Sequence, residues 1–560
     1  MSSQTSSRSN SSASMVSSAG LDLAFLDFLV HEHQHRVLPR LELFWDFYRN
    51  DLLEASEDTV AGRAFRLAQE RGLPHRLTHP PVVVGSSSKH REIVIENDIA
   101  WRIHALVDFM FSKPIALQSL APDRKRADLI ERFLRQVFEA SGGLGFMQDM
   151  ALLGAIYGHI DVLLRTDDVR ATVRQPLREL NHTTTTSHRG FASVPATGTS
   201  GQDISTPSNS SRGEAASTNS SDATAQLESE RDAQQRDQII DRAREFVLEI
   251  IEAPRAVPVL DTNDYRKLDA FVVHYHRVLN RLDHETILDR LRLRLTGGAS
   301  NGRRKSIECS QVWTDSQVTD YEGGGEDRKR TDQRINRLGR IPVVHVQNLP
   351  QPFFYEGLSE VEPLIPLQNE LNTRLSDRAN RVTFQCFKMY LGKGIDGFID
   401  RPIGPGQMWS TDNPDASIES FGGDGACPSE EAHITEVREA LDKASTVTPL
   451  AAGVIRDRVG NLTSENALRV TMIGMLSRTE KKRVTYGQGI ERLCELILHA
   501  ADVLGVLPNE PHERRVRIDW PSPLPENSQQ RLSEAKAKLE LGVPRAQVLA
   551  ELGYAECPAS

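Results

Sequence analysis

The stretch YEGLSEVEPLIPLQNELNTRLSDRANR, Tyr355 to Arg381, decides how the rest of the chain is read. Ser359 with Glu362 three residues on has the spacing of a helix-starting capping box. Pro363 and Pro366 suit a first helical turn, so regular helix is expected from about Pro366. Leu367, Leu371, Leu375, Ala379 and Val382 recur at helical spacing and mark one face. Glu370/Arg374 and Asp377/Arg381 stand four apart, acid first, which adds a few tenths of a kcal/mol per pair. At 1.5 Å per residue the expected product is a rod about 25 to 28 Å long.

Beyond the rod, residues 386–428 read as short strands and turns. A second helix is expected from near Ser429, with Ile434, Val437, Leu441 and Ala444 on one face. STVTPLAAGVIRDRVGNLT follows as a loop of about 18 residues, long enough for a connection to suggest function. A long helical pattern then runs from Ser464 to about Leu504. Gly474, Gly487 and Gly489 within it each cost about 1 kcal/mol against Ala and are expected to kink it. VRIDW reads as a strand, and two last helices close at Gly542 and Gly553, placed as C-caps.

Before the rod, a polar tail of about 20 residues precedes a helical section reaching about residue 72. Asn97–Phe111 and Ala127–Phe138 read as helices and HIDVLLRTD as a strand. Between residues 182 and 236 the composition turns polar and Gly/Pro-containing, a disordered insertion by its low complexity. FVLEIIEAPRAVPVLD, LDAFVVHYHRVL and RIPVVHVQN are strand-like. The fold class expected is α+β, predominantly helical.

The chain has 560 residues, room for about three or four domain-sized units of roughly 150 residues. Hydrophobic residues at 39% and charged residues at 26% allow a globular core. A net charge of −10 excludes a global basic field drawing the molecule onto nucleic acid. Five scattered cysteines with no CxxC argue against a zinc ribbon or a disulfide framework. The first apolar run, LDLAFLDFLV, contains Asp22 and Asp27 and is no signal-peptide core. No apolar run approaches the roughly 20 residues that span a bilayer, so no membrane partner is expected.

Motifs with chemistry are few. GKGIDG (392–397) matches G-x-G-x-x-G, but Pro402 and Pro405 follow where a pyrophosphate-binding helix would have to start, so it reads as a turn. There is no Walker A and no G-x-S-x-G. HEHQHR places His31, His33 and His35 at alternate positions, which do not face one another on a helix; a solvated polar patch is expected, and no metal. No catalytic residue and no cofactor is expected. Basic clusters occur at Arg303–Lys305, Arg328–Arg330, Arg374/Arg378/Arg381 and Lys481–Arg483, without the interleaved aromatics of a single-strand platform.

The order of segments resembles the portal proteins (head-to-tail connectors) of tailed bacteriophages. GLSEVEPLIPLQNELNTRLSDRANR is similar to that family's stem start, with Asn372 and a Ser-Asp before Asn380. ENDIAWRIHALVDFMFSKPIAL, ALLGAIYGHIDVLL, LGRIPVVHVQN, LTSENALRVTMIGMLSRTEKKRVTYGQGIERLCELIL and the C-terminal RIDWPSPLPENSQQRLSEAKAKLELGVPRAQVLAELG resemble other family segments in the family's order. Two departures are the 182–236 insertion and Ser464-Glu465, where Ser-Gly is common. The resemblance implies a wing (21–181 and 237–358), stem helices (359–384 and 429–445), a clip (385–428), a tunnel loop (446–463), a long helix (464–507) and a crown (508–560). It implies a ring, usually dodecameric, at one capsid vertex. Such a ring passes double-stranded DNA without sequence preference during packaging and ejection. Terminase, capsid or scaffold proteins and head–tail adaptors would be its partners, in the virion and in host cytoplasm during assembly. By the same analogy Arg456 and Arg458 of the loop would touch DNA, with Arg374, Arg378, Arg381, Lys481, Lys482 and Arg483 as further channel cations. The alternative is a non-ring DNA-binding or scaffold protein.

Overall fold

A computed structural model describes residues 16–17, 20–54, 65–78, 92–166, 233–282, 304–386, 389–394, 413–421, 427–452, 469–524, 528–545 and 548–549. Arg456, Arg458, most of the expected loop and insertion, part of GKGIDG, and Gly553 lie outside them. Among the described residues helix outweighs strand, and the fold is α+β.

The two largest sheets among the described residues are antiparallel. Strands β1 (His159–Arg165), β2 (Val247–Glu252), β3 (Ala256–Leu260), β4 (Leu268–Leu282), β5 (Arg304–Trp313), β6 (Gln317–Glu322), β7 (Lys329–Ile335) and β8 (Val343–Gln347) account for them. The larger sheet is a meander in the order β7-β6-β5-β4-β3; the smaller has the order β8-β1-β2. Side-chain alternation explains how they stack, because successive residues of a strand point to opposite faces. In β4, Phe271 and Val273 meet Leu163 and Ile251 of the smaller sheet. Ala270 and Val272 point the other way, to Leu26 and Val30 of helix α1 (Leu23–Glu32).

The second face of the smaller sheet carries Ile160, Val162 and Leu164 into the main core. That core is built by α2 (Leu38–Arg49), α3 (Asp98–Met110), α4 (Arg124–Ala140), α5 (Leu144–Tyr157), α6 (Ile365–Cys386), α7 (Pro428–Ser445) and α8 (Ile473–Val503). α5 is apolar nearly all round, and its last four residues, Gly154–Tyr157, are all buried. Its Gly154 has a packing reason: a Cβ there would lie 2.0 Å from the hydroxyl oxygen of Tyr486.

Several expectations are revised. Residues 52–54 pair with 65–67 as a ribbon, where helix had been expected. A helix over 233–242 begins inside the end of the expected insertion. α8 is unbroken across Gly487 and Gly489; a Cβ on Gly489 would come within 2.5 Å of Val346, so this glycine lets β8 approach. Gly542 does cap α9 (Ser528–Glu540): at φ +89° its N–H bonds Leu539 O, and the Val543 N–H bonds Lys538 O.

Candidate functional site

The rod predicted from Tyr355–Arg381 is α6, and α7 lies alongside it. The chain reaches α6 by crossing the end of α5. Ser359 Oγ donates to Ile156 O at 2.6 Å, and the Glu360 N–H donates to Ala155 O at 2.8 Å. Ser359 Oγ also accepts from the N–H groups of Val361 and Glu362, as the sequence suggests. Only half of the capping box forms, because the Glu362 carboxylate is taken by Arg40 at 2.8 Å. A short 3₁₀ turn, Glu362–Leu364, leads into regular helix at Ile365.

The apolar face is only partly what holds α6. Leu371 and Leu375 are buried, but Val382 is 45% exposed. A polar row lies beside it, three of its four members buried. Gln368, Asn372, Ser376 and Asn380, each four residues after the last, bind the main chain of an extended strap at residues 92–98. Gln368 Oε1 accepts from Asp98 N–H at 3.1 Å while its Nε2 donates to Glu96 O. Asn372 Oδ1 accepts from Glu96 N–H at 3.0 Å. Ser376 Oγ accepts from Val94 N–H at 3.0 Å and donates to Val94 O at 3.2 Å. Asn380 Oδ1 accepts from Glu92 N–H at 3.0 Å, and its Nδ2 donates to Glu92 O at 2.8 Å. Gln368 and Asn372 are fully buried, and Asn372 Nδ2 donates to Gln69 Oε1 at 3.0 Å. Burial is tolerable because these polar atoms find partners.

Two arginines fix the ends of the rods. Arg102 of α3, 2% exposed, donates to Asp442 at 2.6 Å, to Ser445 Oγ at 3.2 Å and to Val447 O at 3.1 Å. Arg478 of α8 donates to the carbonyls of Ala444 and Ser445 at the end of α7, and to Glu360 at 2.8 Å. Lys482, 1% exposed, takes the other Glu360 oxygen at 3.0 Å. Burial alone would raise the Glu360 carboxyl, but Lys482 and Arg478 outweigh it and hold the group below its ordinary value. Thr446 ends α7 at φ +60°, and Val447 packs with Leu106 and Met475 at the base of the segment that follows.

The expected channel cations divide. Arg374 is paired with Glu370 at 2.7 Å and lies 3.5 Å from Asp377. Arg381 reaches across to Glu430 of α7, and Asp377 is held by Arg76 at 2.6 Å. The hydrogen bond from His433 of α7, with Arg374 beside it, keeps the Glu370 carboxyl below its ordinary range. Arg378 has no carboxylate partner among the described residues, and Lys481 is exposed. Lys482 is withdrawn as a phosphate ligand: its ammonium lies inside the protein against Glu360, with no surface to offer. Arg483 is tied to Glu480, to Pro521 O at 2.7 Å and to the Trp520 ring. Sequence reasoning missed Arg102, Glu360 and Arg478, most of whose partners lie over a hundred residues away. The polar row was findable: its strict spacing of four stands in the quoted stretch.

Among the described residues no helix is long and apolar enough to cross a membrane. A family model described as phage portal protein, SPP1 Gp6-like, matches residues 237–553, more than half of the chain. A search of curated proteins finds no match. Among solved structures, a chain from the virion of a native gene transfer agent particle is similar with a TM-score of 0.39 and 10% identity, covering 81% of this chain and 89% of that one.

Proposed function

The chain belongs to the SPP1 Gp6-like family of phage portal proteins, and from that premise we propose that it forms a closed ring, a dodecamer by the family's usual count, at one capsid vertex. As a member of that family it is a phage head portal protein, a structural component of the virion. In the proposed ring α6 and α7 are the stem. The ribbon pairing Met389–Lys393 with Ser417–Phe421 belongs to the clip, where terminase and later the tail adaptors dock. The segment after Thr446, with Arg456 and Arg458, is the tunnel loop, and residues 508–560 belong to the crown. Double-stranded DNA passes through the centre during packaging and ejection, and assembly draws on capsid or scaffold partners in the host cytoplasm.

The observation that carries this reading is the family match over residues 237–553, which takes in both rods and α8. The charge balance of the rods is consistent with it. Each firm phosphate contact adds affinity through counterion release, so a conduit for sliding DNA does better with few free cations. Arg374 and Arg381 are neutralised at home, which leaves Arg378, Lys481 and the loop arginines as the transient contacts. The exposed Leu391 and Ile418 of the ribbon also favour a partner there, because a lone two-stranded ribbon is marginal in water.

Native mass and negative-stain images of one purified sample test the proposal. A large closed ring with a hole wide enough for duplex supports it. A monomer or dimer that binds duplex tightly, with steep salt dependence, replaces it with the non-ring DNA-binding reading.

A further inference from the structure

The motif His31-Glu32-His33-Gln34-His35 has no place in the roles above. Its middle histidine faces inward: His33 is buried, and its Nε2 lies 3.0 Å from the carbonyl oxygen of Pro254. The outer two are exposed and face away from the body. Their rings are stacked, 4.0 Å between centroids and 21° between planes.

The main chain brings this about. α1 ends at Glu32, and His33–Val37 continues it as a π-turn before α2. In a regular α-helix, residues four apart are offset by about 40° around the axis. A π-turn, with its i→i+5 hydrogen bonds, widens the turn and brings positions four apart closer to eclipse. The alternation of the motif therefore separates His33 from the others, while the π-turn puts His31 over His35.

We propose that His31 and His35 form a two-histidine chelate for a divalent transition metal ion of the zinc, nickel or copper class. Imidazole is a ligand suited to these ions. Two imidazole nitrogens bound to one tetrahedral ion at about 2.0–2.1 Å lie roughly 3.3 Å apart. Rings whose centroids lie 4.0 Å apart are near enough to share one ion once the side chains turn out of the stack and aim a nitrogen each at it. Histidines at i and i+4 on one face also supply the metal-binding half of H-E-x-x-H. The intervening acid plays no such part here, because Glu32 is paired with Arg36 at 2.8 Å. Among the described residues no group of three or more His, Cys, Asp or Glu is placed to hold a metal, so water fills the remaining positions. The site holds an ion at the surface, more weakly than a four-ligand structural zinc site, and fastens α1 to the π-turn. It does not depend on the portal reading, since both ligands come from one chain.

The test is calorimetric titration of tag-free, chelator-treated full-length protein with Zn²⁺, beside His31→Ala, His35→Ala and the double variant. One ion per chain in the parent protein, with at least a tenfold loss of affinity in each single variant, is the expected result. Copper(II) added to the same proteins should give an electron paramagnetic resonance spectrum with two equatorial nitrogens in the parent and fewer in the variants. Both side chains are exposed, so circular dichroism of the variants should match the parent. Absence of binding by the parent, or equal binding by parent and double variant, overturns the assignment.

Discussion

Replacing Glu360 by Gln separates an internal strut from a channel cation. In the folded chain one Glu360 oxygen takes Arg478 at 2.8 Å and the other takes Lys482 at 3.0 Å. Glu360→Gln leaves an ammonium that is 1% exposed without its counter-charge. Breaking a buried pair from one side costs about 3–5 kcal/mol. Lys482→Met should be milder, about 1–3 kcal/mol, because Glu360 keeps Arg478 and only one of its bonds is lost. The double variant Glu360→Gln/Lys482→Met should be less destabilised than the sum of the singles by more than about 1 kcal/mol, the mark of direct contact. Urea unfolding at fixed protein concentration, followed by circular dichroism, gives the three values. Duplex binding at low salt should be unchanged in Lys482→Met at temperatures where it is folded. A cost below about 1 kcal/mol for Glu360→Gln, together with weakened duplex binding in Lys482→Met, would refute the burial of Lys482 and return it to the DNA path.

Asn372→Ala should cost about 1–3 kcal/mol by orphaning the Glu96 N–H and Gln69, and hydrogen exchange should speed up at residues 92–98; protection left intact there would show that the strap is held by other means. Gly154→Ala should destabilise by about 1–3 kcal/mol through overpacking against the Tyr486 hydroxyl, and Tyr486→Phe in the same chain should recover part of that loss; no recovery would mean the clash lies elsewhere. Burial lowers His159 to about 4, and burial with Arg328 nearby does the same for His274. In the unfolded chain both return to about 6.5, so their contribution is intact above that pH and is lost as pH falls toward 4. His159 alone should account for up to roughly 3 kcal/mol of the loss, and stability that stays flat between pH 6.5 and 4.5 would count against its burial as a neutral ring.

Much of the fold was legible because its signals are local. Asn97 does start α3, its side chain accepting the Ala100 N–H, while α4 begins earlier than the expected Ala127, at Arg124, with Asp123 accepting the N–H groups of Lys125 and Arg126. The strand runs HIDVLLR and VVHVQ appear as β1 and β8, and periodicity alone gave the two rods. The site was less legible for a physical reason. An arginine row on a helix reads as a basic face until its counter-charges are placed, and those of Arg381 and Lys482 come from other elements. Lys482 shows the limit of cluster reading. Lys481, Lys482 and Arg483 are neighbours in sequence, yet helical rotation sends the first to solvent, the second into the core and the third onto Trp520. The histidine motif was legible in part: His31 and His35 are exposed, as in a solvated patch, whereas His33 turns inward to Pro254 O, and the i,i+4 spacing that brings the outer pair together stands in the sequence.

The polar row of α6 touches only main-chain groups of the strap, so it has no means of telling one residue from the next. Sliding residues 92–98 by two positions would present the same pattern of N–H and C=O groups to Gln368, Asn372, Ser376 and Asn380. Register must therefore be set from the end, where Asn97 donates to Tyr48 O at 2.8 Å and Arg438 grips Glu96. The two repeats are also unequal. Four helical residues advance about 6.0 Å, whereas two strand residues advance about 6.6 Å. Over three intervals the mismatch reaches about 2 Å, most of a hydrogen-bond length. A vernier of this kind runs out of coincidence after about four rungs, so the length of the strap is limited by arithmetic as much as by sequence.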